Sequence, residues 1–341
     1  AVTDNNVAIS GFGSVLGSVY GGYGAAEGTV NGNDVSIFDS GSVTGNVLGG
    51  YSRSVNSHVI GNTVTISGGT VRDIYGGQSG KGNALNNRVT LDGAASQTNV
   101  IYGGRVEQGT ARENAVVMKN GSVTLGIFGG IATADGGQAQ DNHVTMSGGA
   151  VGEHLIGGYV QNGSGAATGN SVIFNGGSVT ENVYGGRSVN GPAQNNSVTM
   201  TNGSAKWLLG GYSNSGDVSG NSVNVSGGTL TGVSGGESNS GSATGNIVSI
   251  SGGTVQSNVN GGFVASGSGK ATGNIVNISG NADLSTATVA GGISSSDAFT
   301  GNTLNKNSDA AVHIARNFAS VNFGYSGNAN IGELDSTPTG S

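Results

Sequence analysis

Glu113 and Asp141 are the best-matched pair of carboxylates in this chain, each standing immediately before an asparagine at one phase of a long repeat. Two carboxylates within reach of one sugar bond can cleave it, and acids beside a basic residue can hold Ca²⁺. Arg88 and His143, each immediately after its own asparagine, would complete such a patch. A solvated charged surface explains the four residues first, and a weak ion or glycan site second. Nothing else resembles a catalytic set. His58, His143, His154 and His313 lack metal-ligand spacing, and cysteine is absent, which removes thiolate metal sites and thiol nucleophiles. The calcium-binding nonapeptide is also missing, as is a Gly-x-Ser-x-Gly between strand and helix. The expectation is no catalysis, no metal and no cofactor.

A second kind of chemistry is contact. Before a recurring Gly-Gly stands the series Tyr20, Leu48, Tyr75, Tyr102, Phe128, Ile156, Tyr184 and Leu209, followed by Ser234, Asn260 and Ala290. The residue preceding each is aliphatic, so alternation points this series outward. Contiguous exposed apolar residues mark interaction surfaces, which makes Tyr20, Tyr75, Tyr102, Phe128 and Tyr184 the candidate binding residues. A loop folding back over the stripe, or a corner turning the rings inward, would leave the same pattern. A patchier column beyond the glycines, Tyr23, Tyr51, Tyr159, Tyr212 and Phe263, carries the same two readings.

These residues are positioned by a repeat. Asn5, Asn33, Asn62, Asn87, Asn114, Asn142, Asn170, Asn196, Asn221, Asn246, Asn274 and Asn302 recur at intervals of 25 to 29 residues, each with Val, or once Leu304, two residues later. Asn62, Val64 and Ile66 alternate with Thr63, Thr65 and Ser67, the period of a half-buried strand. A second apolar column runs from Ile9 and Ile37 to Ile278, and a third from Val19 and Val47 to Val289. Stacked at one phase, three aliphatic columns make a continuous core. The predicted fold is all-β: a parallel β-helix solenoid of about twelve coils, right-handed by the chirality of parallel crossovers. Each asparagine amide, with one donor side and one acceptor side, would bond those above and below in an inward ladder. The glycine pairs are expected at corners, supplying positive φ or close backbone approach.

Composition narrows the functions. Gly is 69 of 341 residues and only 9% are charged, which without the strict repeat would suggest disorder. The net charge of −7, with no basic stripe, argues against nucleic acid as a partner. No apolar run is long enough to span a membrane and no signal peptide opens the sequence, so the reading is a mature piece with any membrane part outside it.

Gly61-Asn62-Thr63-Val64-Thr65-Ile66-Ser67-Gly68-Gly69-Thr70-Val71 with Tyr75-Gly76-Gly77, echoed at Gly245 to Val259 and Gly273 to Ile278, resembles passenger domains of bacterial autotransporters. The resemblance spans roughly residues 5 to 306 and implies an extracellular β-helix displayed on the bacterial surface, exported through a C-terminal outer-membrane β-barrel lying outside this chain. It also implies adhesion to host glycan or a surface protein, or self-association between passengers. Many such passengers have shorter coils, so the period here implies a longer recurring loop. A polysaccharide-degrading enzyme and a stalk that holds another domain away from the cell are the alternative readings.

Lys306 falls where the second apolar column should continue. A buried unpaired ammonium is prohibitive, so the regular repeats are expected to span residues 1–306. Residues 307–341 are then irregular coils or a cap, ending in a frayed tail from about Asp335.

Overall fold

A computed structural model of the chain describes residues 1–94, 96–324 and 329–335. Among these residues there is no helix, and every strand pairing is parallel. The chain forms a β-solenoid of about 12 turns, about 27 residues apart, with a stacked inward asparagine ladder. One coil shows the pattern: a return strand Val59–Ile60, a first strand Thr63–Ile66, a corner strand Thr70–Val71 and a glycine-pair strand Asp73–Ser79. Further along, the last three merge into the continuous strands Ser222–Ser238 and Ile247–Val264.

Register follows the apolar pattern because a slip of one residue would turn every core side chain to solvent. Val35, Val64, Val89 and Val116 pair in line, as do Ile37, Ile66, Leu91 and Met118. The third column aligns Val47, Ile74, Ile101 and Ile127 in the same way. All three are buried in one core, joined by a fourth column on the corner strand that includes Val43, Val71, Val123, Val151 and Val255.

The asparagine ladder lies behind this core. Asn114 is typical: its Nδ2 donates to Asn142 Oδ1 at 2.9 Å and to the Ala84 carbonyl at 2.9 Å, while its backbone N–H donates to the same Asn142 oxygen at 3.1 Å. The amide therefore spends both donors and its acceptor, as a buried amide must. On its other side is a second, narrower core of Ala84, Val106, Ala111 and Ala132, continued by Ala139, Val160 and Ala167. Small residues fill it because the return strand lies close to the glycine-pair strand.

The glycines divide into two kinds. Gly69, at the first pair, has φ of 75° and turns the chain, as expected of a corner. The second pair does not mark a corner: Gly76 and Gly77 lie inside the strand Asp73–Ser79, with no left-handed φ. Glycine is required there by close approach, since a Cβ at Gly77 would stand 2.5 Å from Asn87 Cγ. The ladder and the glycine pair are thus two halves of one packing device.

Lys306 corrects an expectation. It pairs with Ile278 in the second column and is 0% exposed, yet the core passes it: Ala310, Val312, Ala315 and Phe318 belong to the same cluster. Its Nζ donates to the Ser308 carbonyl at 2.7 Å, which gives the buried amine a partner, and burial lowers its pKa toward the neutral form. Strands Val312–Arg316, Ser320–Phe323 and Ile331–Asp335 extend two ladders past residue 306. The expected tail beyond Asp335 lies outside the described residues.

Candidate functional site: a cleft on the glycine-pair face

The five residues singled out by the aromatic series do share one outward column, in the register Tyr75, Tyr102, Phe128, Ile156, Tyr184 and Leu209. They do not form one open surface. Tyr20 is 39% exposed, but Tyr75 is 8% and Tyr184 6% exposed, with Tyr102 and Phe128 half-buried. The rings cover each other: Tyr75 stacks on Tyr102 at 4.9 Å between centroids, Tyr102 on Phe128 at 5.2 Å, and Phe128 on Tyr159 at 6.0 Å. A coil spacing near 4.8 Å places equivalent rings at stacking distance, so an aromatic column in a parallel solenoid consumes its own faces.

The acidic patch is likewise structural. Glu113 and Asp141 have φ of 56° and 51°, the left-handed turn before the ladder asparagine that other coils fill with Gly61, Gly169 or Asn86. Asp tolerates this conformation through local hydrogen bonding. Glu113 lies 3.6 Å from Arg112, and both of its neighbours in the patch are otherwise engaged or exposed: His143 bonds Ser171 at 2.7 Å and Thr145 at 2.9 Å, while Arg88 faces solvent. Burial and the charge of Arg88 lower the His143 pKa. Among the described residues, no group of three His, Asp or Glu side chains could hold a metal ion.

The concave site lies where the aromatic series ends. A cleft of about 660 Å³ crosses six successive coils, lined by Asn182, Tyr184 and Arg187, then Trp207, Leu209 and Tyr212, then Glu237, then Asn258, Asn260 and Phe263, and last Ile293 and Arg316. Its floor is cut by three substitutions in one coil: Gly232, Ser234 and Glu237 are in register with Trp207, Leu209 and Tyr212. With no side chain on Gly232, the indole of Trp207 leans over it, so that a Cβ there would meet Trp207 Cη2 at 2.5 Å. Of the five candidate residues, Tyr184 alone lines the cleft; Tyr212 and Phe263 come from the patchier column.

The polar chemistry of this cleft is unfinished. Arg187 sits among three rings, its guanidinium carbon 5.0 Å from the Tyr159 centroid and 5.4 Å from those of Tyr184 and Tyr212. Such contacts stabilise a cation by about 0.5–1 kcal/mol at exposed sites and by about 2 kcal/mol when desolvated. Its Nε is nevertheless buried without a hydrogen-bond partner, as are Arg316 Nε, Asn182 Oδ1 and Asn260 Oδ1. Buried polar atoms are ordinarily paired, and four of the five unpaired ones among the described residues converge on this cleft. Glu237 is the carboxylic acid of the lining, and burial raises its pKa to about 7. The arrangement offers aromatic walls, unpaired donors and unpaired acceptors, with Glu237 the one carboxylate that lines it among the described residues.

Sequence reasoning missed Arg187, Trp207, Glu237 and the two asparagines. The visible signal was the loss of bulk at Ser234 and Asn260, which reads in one dimension as the end of a stripe and in three as the floor of a groove. No protein-family model matches the chain, and searches of curated proteins and of solved structures give no match either. The molecule is defined by its fold as a parallel β-solenoid with a lateral cleft, and the cleft is read from its own chemistry.

Proposed function

We propose that this chain is a non-enzymatic β-solenoid that adheres through its lateral cleft to glycan, as a surface-displayed passenger of the kind its repeats resemble. The convergence of four unpaired buried polar atoms with Trp207, Tyr212 and Phe263 in one cleft carries the reading. A sugar ring meets both halves of this chemistry, with an apolar face for aromatic rings and hydroxyls that donate and accept around its edge. The rigid solenoid holds these groups on strands, which preorganises them. Cell-surface display, export by a C-terminal barrel and contact with a host belong to the same proposal and follow the sequence resemblance.

Trp207 is the one tryptophan in the sequence, so binding should be reported by its fluorescence. On a glycan array the native protein should bind a defined set of sugars, and Trp207→Ala and Tyr212→Ala should each weaken that binding by roughly tenfold or more, the loss of an aromatic contact. An array blank for the native protein, or binding indifferent to both substitutions, would place adhesion elsewhere.

A further inference from the structure

Resting on the glycan reading of the cleft, we infer that its ligand is an anionic saccharide, with the acid group at Arg187 and the sugar faces against Trp207, Tyr212 and Phe263. The inference starts from charge. Arg187 forms no ion pair among the described residues, and its Nε has no hydrogen-bond acceptor. A guanidinium is always charged and presents its donors as a planar fork suited to carboxylate or sulfate. The three tyrosine rings around it contact the cation without using its donors. A neutral sugar would leave that half-buried charge unanswered, whereas an anion would pair with it in a partly dry site, where such pairing is stronger than in water.

The far end carries a second unpaired guanidinium Nε. Arg316 closes the cleft five coils further on, in register with Asp335 and with its own Nε unpaired. The unpaired oxygens of Asn182, on the same strand as Arg187, and of Asn260, between the two arginines, ask for hydroxyl donors. Along the axis the lining therefore runs from the Arg187 cation and its neighbouring amide, through the rings of the next coil, the acid Glu237 and the Asn260 amide, to the Arg316 cation. An extended polymer laid across the coils could satisfy it, and a compact neutral ligand could not.

Glu237 would oppose this if it were ionised. It stands between Tyr212 and Phe263 in the register of the glycine-pair strands. The other charged or titratable groups of the lining are Arg187, Tyr184, Tyr212 and Arg316. Burial alone sets its shift to about 7, so protonation removes the one negative charge of the lining below neutrality, and deprotonation restores it above. His154, edge-on to Tyr184 at 5.6 Å, is lowered by burial and keeps its neutral form above neutrality.

The test uses three probes on the whole chain: an oligogalacturonate, its carboxyl-reduced neutral counterpart, and a sulfated oligosaccharide of similar length, each titrated against Trp207 fluorescence. The carboxylated or the sulfated probe should bind roughly tenfold tighter than the neutral one, a difference of about 1.4 kcal/mol, and whichever binds names the acid group. That binding should weaken roughly fivefold or more between about pH 6 and about pH 8.5, the cost of a like charge near 4 Å in water-like surroundings. Glu237→Gln should flatten the pH profile, and Arg187→Gln should bring the anionic probe level with the neutral one. Equal binding of neutral and anionic probes by the native chain overturns the anionic inference and leaves the glycan reading standing. No binding of any probe overturns both.

Discussion

Glu237 carries a consequence for stability as well as for binding. In an unfolded chain a glutamate titrates near pH 4.3, while burial in the cleft raises Glu237 to about 7. Between those values the folded state holds a proton that the unfolded state has released. Stability is therefore complete below about pH 4.3, falls as pH rises through about 7, and stays reduced above it. Glu237→Gln should remove this loss. Denaturant unfolding near pH 8 should show the variant more stable than the native chain by on the order of 2 kcal/mol, with the two close together near pH 4. A native chain equally stable at both pH values relative to the variant would mean that Glu237 is solvated. At this scale little of the site was legible: Glu237 reads in one dimension as a lone acid in a low-charge chain, because only stacking places Tyr212 below it and Phe263 above it.

The glycine-pair strand and the asparagine ladder act as one element. Asn87 fills the space a side chain at Gly77 would need, and the same relation holds between Gly50 and Asn62. Gly77→Ala should cost about 1–3 kcal/mol, the usual penalty of overpacking, read as a lower denaturation midpoint. Gly80, where an added Cβ would meet nothing closer than 3.8 Å, is the matched control and should change little. Equal effects at the two positions would point to glycine's backbone freedom in place of close packing. The apolar columns at this scale were readable from alternation alone, since a strand with one buried face must repeat every second residue. The corner column of Val71 and Val123 went unread because its strand is two residues long and shows no alternation. The second Gly-Gly fills one of its two expected roles, close backbone approach, but not at a corner, because sequence cannot distinguish a glycine needed for φ from one needed for space.

As a whole, the molecule is close to one-dimensional: each coil touches its neighbours, and stability is built from coil and interface terms. Removing residues 87–113 would join Asn86, at φ of 54° before the ladder, directly to Asn114. Asn62 would then meet Asn114 in place of Asn87, Val64 would meet Val116, and Ile66 would meet Met118. The shortened chain should fold, keep its β circular dichroism, lose about 4.8 Å of length by scattering and retain saccharide binding, because the cleft begins at Asn182. Collapse of the shortened chain would show that coil four has a role beyond its place in the stack.

Period, strand alternation and the identity of the inward columns follow from the order of residues, because stacking like on like requires each coil to restate the same polar and apolar positions. The cleft does not follow from that order. It arises where Gly232 lies between Trp207 and Asn258, and Ser234 between Leu209 and Asn260, in adjacent coils, and residues about 25 positions apart become neighbours only when the chain has wound. The same winding buried the tyrosines that looked most exposed, since rings stacked one coil apart cover each other. A repeat is written along the chain, whereas a site made by the interruption of a repeat is written across it.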